Sequence, residues 1–192
     1  MIRRAMERFP ASSFGGRALA AATEHALETA RRHLGVRRTA LFWLDDVSGG
    51  LRCVATAGVG GTEGWLGQTL GAGVGMAGRA VREGHPVWTP DLLADPRVPV
   101  ALWLRERLEA EGLRTVAAAP VRVDGAVQGA LGFLDGPDRT FDDDGLRRIG
   151  RLADEVAGDL RRAASEAGDS LRRPAALFPL SDPGDPRDGP PR

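Results

Sequence analysis

Between residues 18 and 164 the spacing of apolar residues changes from helical to strand-like and back again. From Ala18 to Leu34, Leu19, Ala22, Ala26, Leu27, Ala30 and Leu34 form one stripe, with Glu24, Glu28, Arg31 and Arg32 off it, which predicts an amphipathic helix ended by Gly35. Arg38 to Asp45 (RTALFWLD) is bulky over a strand's length: Leu41 and Trp43 fall on one face, Ala40, Phe42 and Leu44 on the other. Apolar residues on both faces predict a central strand covered on each side. Residues 45–50 (DDVSGG) carry turn chemistry, and Leu51 to Ala57 returns as the hairpin partner. Gly58 to Gly67 is glycine-rich and irregular, with Trp65 set in it.

The middle of the chain is organised around GAGVGMAGRAVREGHPVWTPDLLADPRV, Gly71 to Val98. Gly71, Gly73 and Gly75 loosen the backbone before a short helix, Met76 to Arg82, whose Met76, Ala77, Ala80 and Val81 share a face. Glu83-Gly84 ends it, His85 to Thr89 reads as a brief extended piece, and Asp91 is placed to cap the next turn. Val100 to Glu111 predicts a second amphipathic helix, with Ala101, Leu104 and Leu108 inward and Arg105, Glu106, Arg107 and Glu109 outward. Thr115 to Val123 and Ala126 to Asp135 are strands joined by Asp124-Gly125, a strong hairpin signal. The last helix, Asp143 to Ala164, starts with acidic residues that suit its dipole and carries Leu146, Ile149, Leu152 or Ala153, Val156, Leu160 and Ala163. This order predicts an α+β fold with an antiparallel sheet.

Composition narrows the function. The 192 residues suit one domain, with 1–17 as a loosely ordered lead-in and a Pro/Gly/Asp/Arg-rich tail from 165 to 192 expected to be disordered. Leu177-Phe178-Pro179-Leu180 is the one apolar knot in that tail. The charges balance, 26 basic against 26 acidic, so nothing favours nucleic acid. All the basic side chains besides histidine are arginines, and the sequence has no Lys, Asn or Tyr. No apolar run approaches the roughly 20 residues of a membrane span, and a cytoplasmic location is expected. Cys53 is the single cysteine, which leaves no intramolecular disulfide and no cysteine-based metal site.

The glycine-rich approach, small-residue helix, Gly-x-Pro, short strand and D-x-x-x-D-P-R of residues 71–97 resemble the signature of GAF domains. The run GLRTVAAAPVRVDGAVQGALGFLD resembles that family's closing hairpin, and the likeness spans roughly Leu19 to Arg162. It implies a GAF-like fold: first and last helices packed on one face of the sheet, and a ligand pocket on the other, roofed by loops and short helices. Members bind cyclic nucleotides, bilins, haem, amino acids or anions, and some only dimerise. The Asn-Lys-Phe-Asp-Glu set of the cyclic-nucleotide binders is missing, since the chain has neither Asn nor Lys. Bilin attachment needs a suitably placed cysteine, whereas Cys53 lies in a strand and reads as a small buried apolar residue. His25 and His33 read as surface residues and His85 as a loop residue, so no haem ligand stands out. Methionine sulfoxide reduction within one chain needs a second thiol, and an enzyme using Cys53 is the remotest reading.

The expectation is therefore a non-enzymatic sensory or regulatory domain without cofactor or metal. An unknown small molecule would sit among Trp43, Trp65, Trp88 and Trp103, with Asp91 and Arg114 as polar contacts. The alternative is an interaction module with a degenerate pocket. A homodimer is expected through the terminal helices, with Ile149, Val156, Leu160 and Ala163 in the seam, and a signalling protein as a further partner.

Overall fold

The computed structural model describes residues 17–45 and 48–166. The lead-in and the tail beyond 166 lie outside them. The elements run α1 (Arg17–Leu34), β1 (Arg38–Leu44), β2 (Leu51–Gly58), β3 (Thr69–Leu70), α2 (Gly75–Glu83), β4 (Val87–Thr89), α3 (Leu102–Glu111), β5 (Thr115–Val123), β6 (Ala126–Asp135) and α4 (Asp143–Glu166). All but β3 correspond to elements the apolar spacing predicts. The two-residue β3 is too short to leave a periodic signal. Gly84 takes φ +72° past the end of α2, and its N–H donates to the Ala80 carbonyl, so the Glu83-Gly84 stop works as a left-handed cap.

One six-stranded sheet has the order β3-β2-β1-β6-β5-β4, every neighbouring pair antiparallel. The apolar strand β1 is central, as its two covered faces require. An extra residue, Val54, sits opposite the Leu41/Phe42 step and makes a β-bulge. The bulge shifts the phase of β2, so Cys53 faces one layer and Ala55 the other.

The two cores are separated by the sheet. On one side α1 and α4 cover Leu41, Trp43, Ala117, Ala119, Leu131 and Phe133. Arg148 at the start of α4 donates to the His33 carbonyl at the end of α1, 3.1 Å away, as antiparallel helices allow. On the other side α2, α3 and the loops between them form a roof over Ala40, Phe42, Cys53, Val116, Ala118 and Leu134.

The helical layer shows where the residues expected in a dimer seam lie within the single chain. Ile149, Val156 and Leu160 are 0–2% exposed within the single chain, and Ala164 is buried with them, while Ala163 is half-buried. The end of α4 does not project beyond its cover, because the start of α1, with Leu19 fully buried, runs back alongside it. Leu160 is thus a core residue and has no free surface to offer a partner.

Candidate functional site

The roof begins with the stretch GAGVGMAG. A Cβ at Gly78 would stand 2.7 Å from the carbonyl carbon of Gly73 and 2.9 Å from its Cα, so glycine lets the turn fold back onto α2. That close approach seats Met76 and Ala77 against the sheet. Pro99 accepts from Gly75 N–H at 2.8 Å and joins the second half of the roof to the first.

Between roof and sheet lies an apolar cavity of about 20 Å³, walled chiefly by Phe42, Trp65, Leu70, Met76, Leu104 and Leu134. Its volume matches about one water molecule and is far below the roughly 300–1,000 Å³ of a ligand pocket.

The aromatic residues singled out by sequence divide between the two layers. Trp65 is fully buried and lines the cavity. Trp103 stands behind it, edge to face at 6.0 Å, and donates its indole N–H to the Thr69 carbonyl at 3.0 Å. Trp43 and Trp88 are on the opposite side of the sheet, packed in the helical core. Trp88 meets Phe141 edge-on at 5.9 Å. Strand alternation placed Trp43 with Leu41 correctly but left open which face the helices would cover.

The proposed polar contacts also have structural partners. Asp91 accepts from the Leu93 and Ala94 N–H groups at 2.9 and 3.2 Å, which makes it the cap of its turn. Arg114 donates from its guanidinium to the neighbouring Leu113 carbonyl at 2.9 Å, and neither residue lines the cavity. Asp95 accepts from Arg97 at 2.8 Å and from Thr89 Oγ1 at 3.0 Å, and the Arg97 guanidinium holds its carboxyl well below the usual range. These carboxylates shape the roof.

Two charged residues beside the cavity were not foreseen. Arg38 is 1% exposed, and each of its three guanidinium nitrogens donates a hydrogen bond. Nε donates to Glu111 Oε2 at 2.7 Å, Nη1 to Thr56 Oγ1 and the Gly61 carbonyl at 3.0 and 2.9 Å, and Nη2 to the Val59 carbonyl. Its guanidinium carbon also lies 4.9 Å from the centre of the Trp65 ring. Glu111 Oε1 accepts from Trp65 Nε1 at 2.7 Å, so one carboxylate joins the cation and the indole. The signal was periodicity: Arg38 is in phase with Ala40, Phe42 and Leu44, and Glu111 continues the Leu104, Leu108 stripe.

Cys53 is fully buried, and burial pushes its thiol up to about 12, so the reactive thiolate is suppressed. Among the described residues no group of His, Cys, Asp and Glu could hold a metal ion, and no helix is long and apolar enough to cross a membrane.

The family model for the GAF domain matches residues 18–160, from α1 to near the end of α4. The chain belongs to the GAF domain family. Solved structures repeat the architecture of this GAF domain at low identity. The GAF domain of a phosphoenolpyruvate-protein phosphotransferase from Coxiella burnetii has a TM-score of 0.64 at 20% identity, over 87% of this chain and 94% of that one. The GAF-B domain of DevS from Mycobacterium smegmatis gives 0.59 at 20%, over 77% and 96%. Free methionine-R-sulfoxide reductase from Neisseria meningitidis, solved with its substrate, gives 0.60 at 19%, over 78% and 81%. No curated protein matches the sequence. At these identities the likeness concerns the fold.

Proposed function

We propose that this GAF domain is a sensory or regulatory module that responds to a small, largely apolar molecule beneath its roof and passes the response to its terminal helices. The observation that carries this reading is the cavity itself: an apolar space on the sheet face opposite α1 and α4, walled by both halves of the roof. A ligand there would press on the sheet whose other face seats both terminal helices. At about 20 Å³ the space admits no metabolite until the roof rearranges. Catalysis is no part of the proposal, because Cys53, the one thiol, is buried and held protonated.

The small volume also favours a second reading, an interaction module whose pocket has closed for good. In either case a homodimer or a signalling partner would use surfaces other than the buried α1–α4 seam. Native mass spectrometry and thermal shift against a panel of small apolar and heterocyclic metabolites separate the two readings. A ligand that co-purifies or raises the melting temperature supports sensing. A panel with no response from correctly folded protein supports the closed module.

A further inference from the structure

Trp65 fills a niche furnished as a ligand site would be. Its indole N–H meets Glu111 Oε1 at 2.7 Å, the Arg38 guanidinium carbon is 4.9 Å from the ring centre, and Trp103 closes the niche edge-on at 6.0 Å. Beyond the ring lie the apolar walls of the cavity. Apolar walls with a few placed polar groups are the usual make-up of a small-molecule site, and a cation near a π face adds to the attraction.

The segment that delivers Trp65 is a strap, residues 59–68, attached to the body unevenly. At its far end it is held by backbone bonds to β2, Gly67 N–H to the Cys53 carbonyl at 2.9 Å and Cys53 N–H to the Gln68 carbonyl at 2.8 Å. Its near part is held by one long backbone bond, Val59 N–H to the Arg37 carbonyl at 3.4 Å, by Arg38, which donates to the Val59 and Gly61 carbonyls, and by Trp65 itself. Gly60, Gly61, Gly64 and Gly67 all have positive φ, so this backbone sits in conformations that glycine reaches freely. Val59, at its start, is 70% exposed. The Glu111 side chain is 17% exposed, so the niche lies near the surface on the strap side.

We propose that this niche binds a small planar heteroaromatic N–H donor of the indole class, that Trp65 is its internal stand-in, and that the strap lifts when the ligand takes its place. This deepens the small-molecule reading above and rests on it. The incoming ring would donate to Glu111, lie against Arg38 and join the existing cavity, while Trp65 leaves with the strap. The ligand repeats the Trp65 bond to Glu111 and the Arg38–Glu111 pair is kept, so the exchange leaves no unpaired buried charge, although Arg38 gives up the Val59 and Gly61 carbonyls with the strap.

The test titrates the wild-type protein with indole and with 1-methylindole, which has almost the same shape but no N–H. Native mass spectrometry reads binding, and hydrogen exchange reads the strap. Indole should bind and raise exchange in residues 59–68, with β1, β5 and β6 unchanged. 1-Methylindole should bind roughly ten- to a hundredfold more weakly, the worth of one hydrogen bond to a charged group. Trp65→Ala should bind indole more tightly than wild type, since no competitor remains. Indole binding to Trp65→Ala but not to wild type would make Trp65 a fixed core residue and overturn the proposal, as would wild-type binding without a response of the strap. A hit from the metabolite panel that leaves the strap protected would overturn the niche while leaving the sensing reading intact. If the alanine variant does not fold, the wild-type titrations decide alone.

Discussion

Removing the Glu111 carboxylate is the sharpest test of how the roof is held. In Glu111→Ala the Arg38 guanidinium, 1% exposed, loses the carboxylate it pairs with, and the buried Trp65 N–H loses its acceptor. Breaking a buried ion pair from one side costs about 3–5 kcal/mol. Arg38 keeps Thr56 Oγ1 and two carbonyls, which argues for the lower end. About 3 kcal/mol in a domain of this size lowers the melting temperature by about 6–12 °C. Glu111→Gln keeps an acceptor and should lose less. The double variant Arg38→Met/Glu111→Leu removes the stranded charge and should recover part of the loss, leaving about 1–3 kcal/mol for the unpaired Trp65 N–H. Urea unfolding followed by far-UV circular dichroism measures all three, and the single variants Arg38→Met and Glu111→Leu complete the double-mutant cycle that isolates the coupling. A Glu111→Ala protein within about 0.5 kcal/mol of wild type would mean that the buried pair does not hold the strap, and the reasoning would fail.

Further outcomes follow from single residues. Leu160→Ala should destabilise the fold by about 2–5 kcal/mol with no change in oligomeric state, read by urea unfolding and light scattering; a silent change in stability with altered mass would place a dimer seam at that position. Gly78→Ala forces a methyl into the Gly73 backbone and should cost about 1–3 kcal/mol, with hydrogen exchange rising first around residues 71–78. Cys53 should react slowly with a thiol reagent at neutral pH and quickly once unfolded; rapid native labelling would contradict its burial. Acid should weaken the fold in a defined window. The Arg31 hydrogen bond lowers Glu28 from 4.5 to about 2, and Asp95 is lowered through Arg97. A depressed carboxylate stabilises above its unfolded pKa and loses that contribution as pH falls through the folded one, so stability should decline from about pH 4.5 towards pH 2. Glu28→Gln and Asp95→Asn should each flatten the decline, and an unaltered acid profile would count against these pairs.

Local chemistry along the chain was enough to determine the elements and much of the layout. The stripes of α1 and α4, the Asp124-Gly125 hairpin and the double-faced β1 each report on neighbours a few residues away, and so does the Gly84 cap. They fix helix, strand and turn because spacing and backbone freedom are local properties. The likeness to GAF domains added the arrangement of layers, and residues 18–160 match that family. Tertiary structure decided what distance along the chain conceals. Trp43 and Trp88 look like pocket residues until the helices choose their face of the sheet, since alternation gives two faces but no sign. Leu160 looks like a free apolar edge until α1 runs back over it. Arg38, Glu111 and Trp65 are far apart in sequence and come together only when the strap wraps the end of α3. The cavity likewise exists only between layers: its volume is what packing leaves unfilled, a property that no single segment carries.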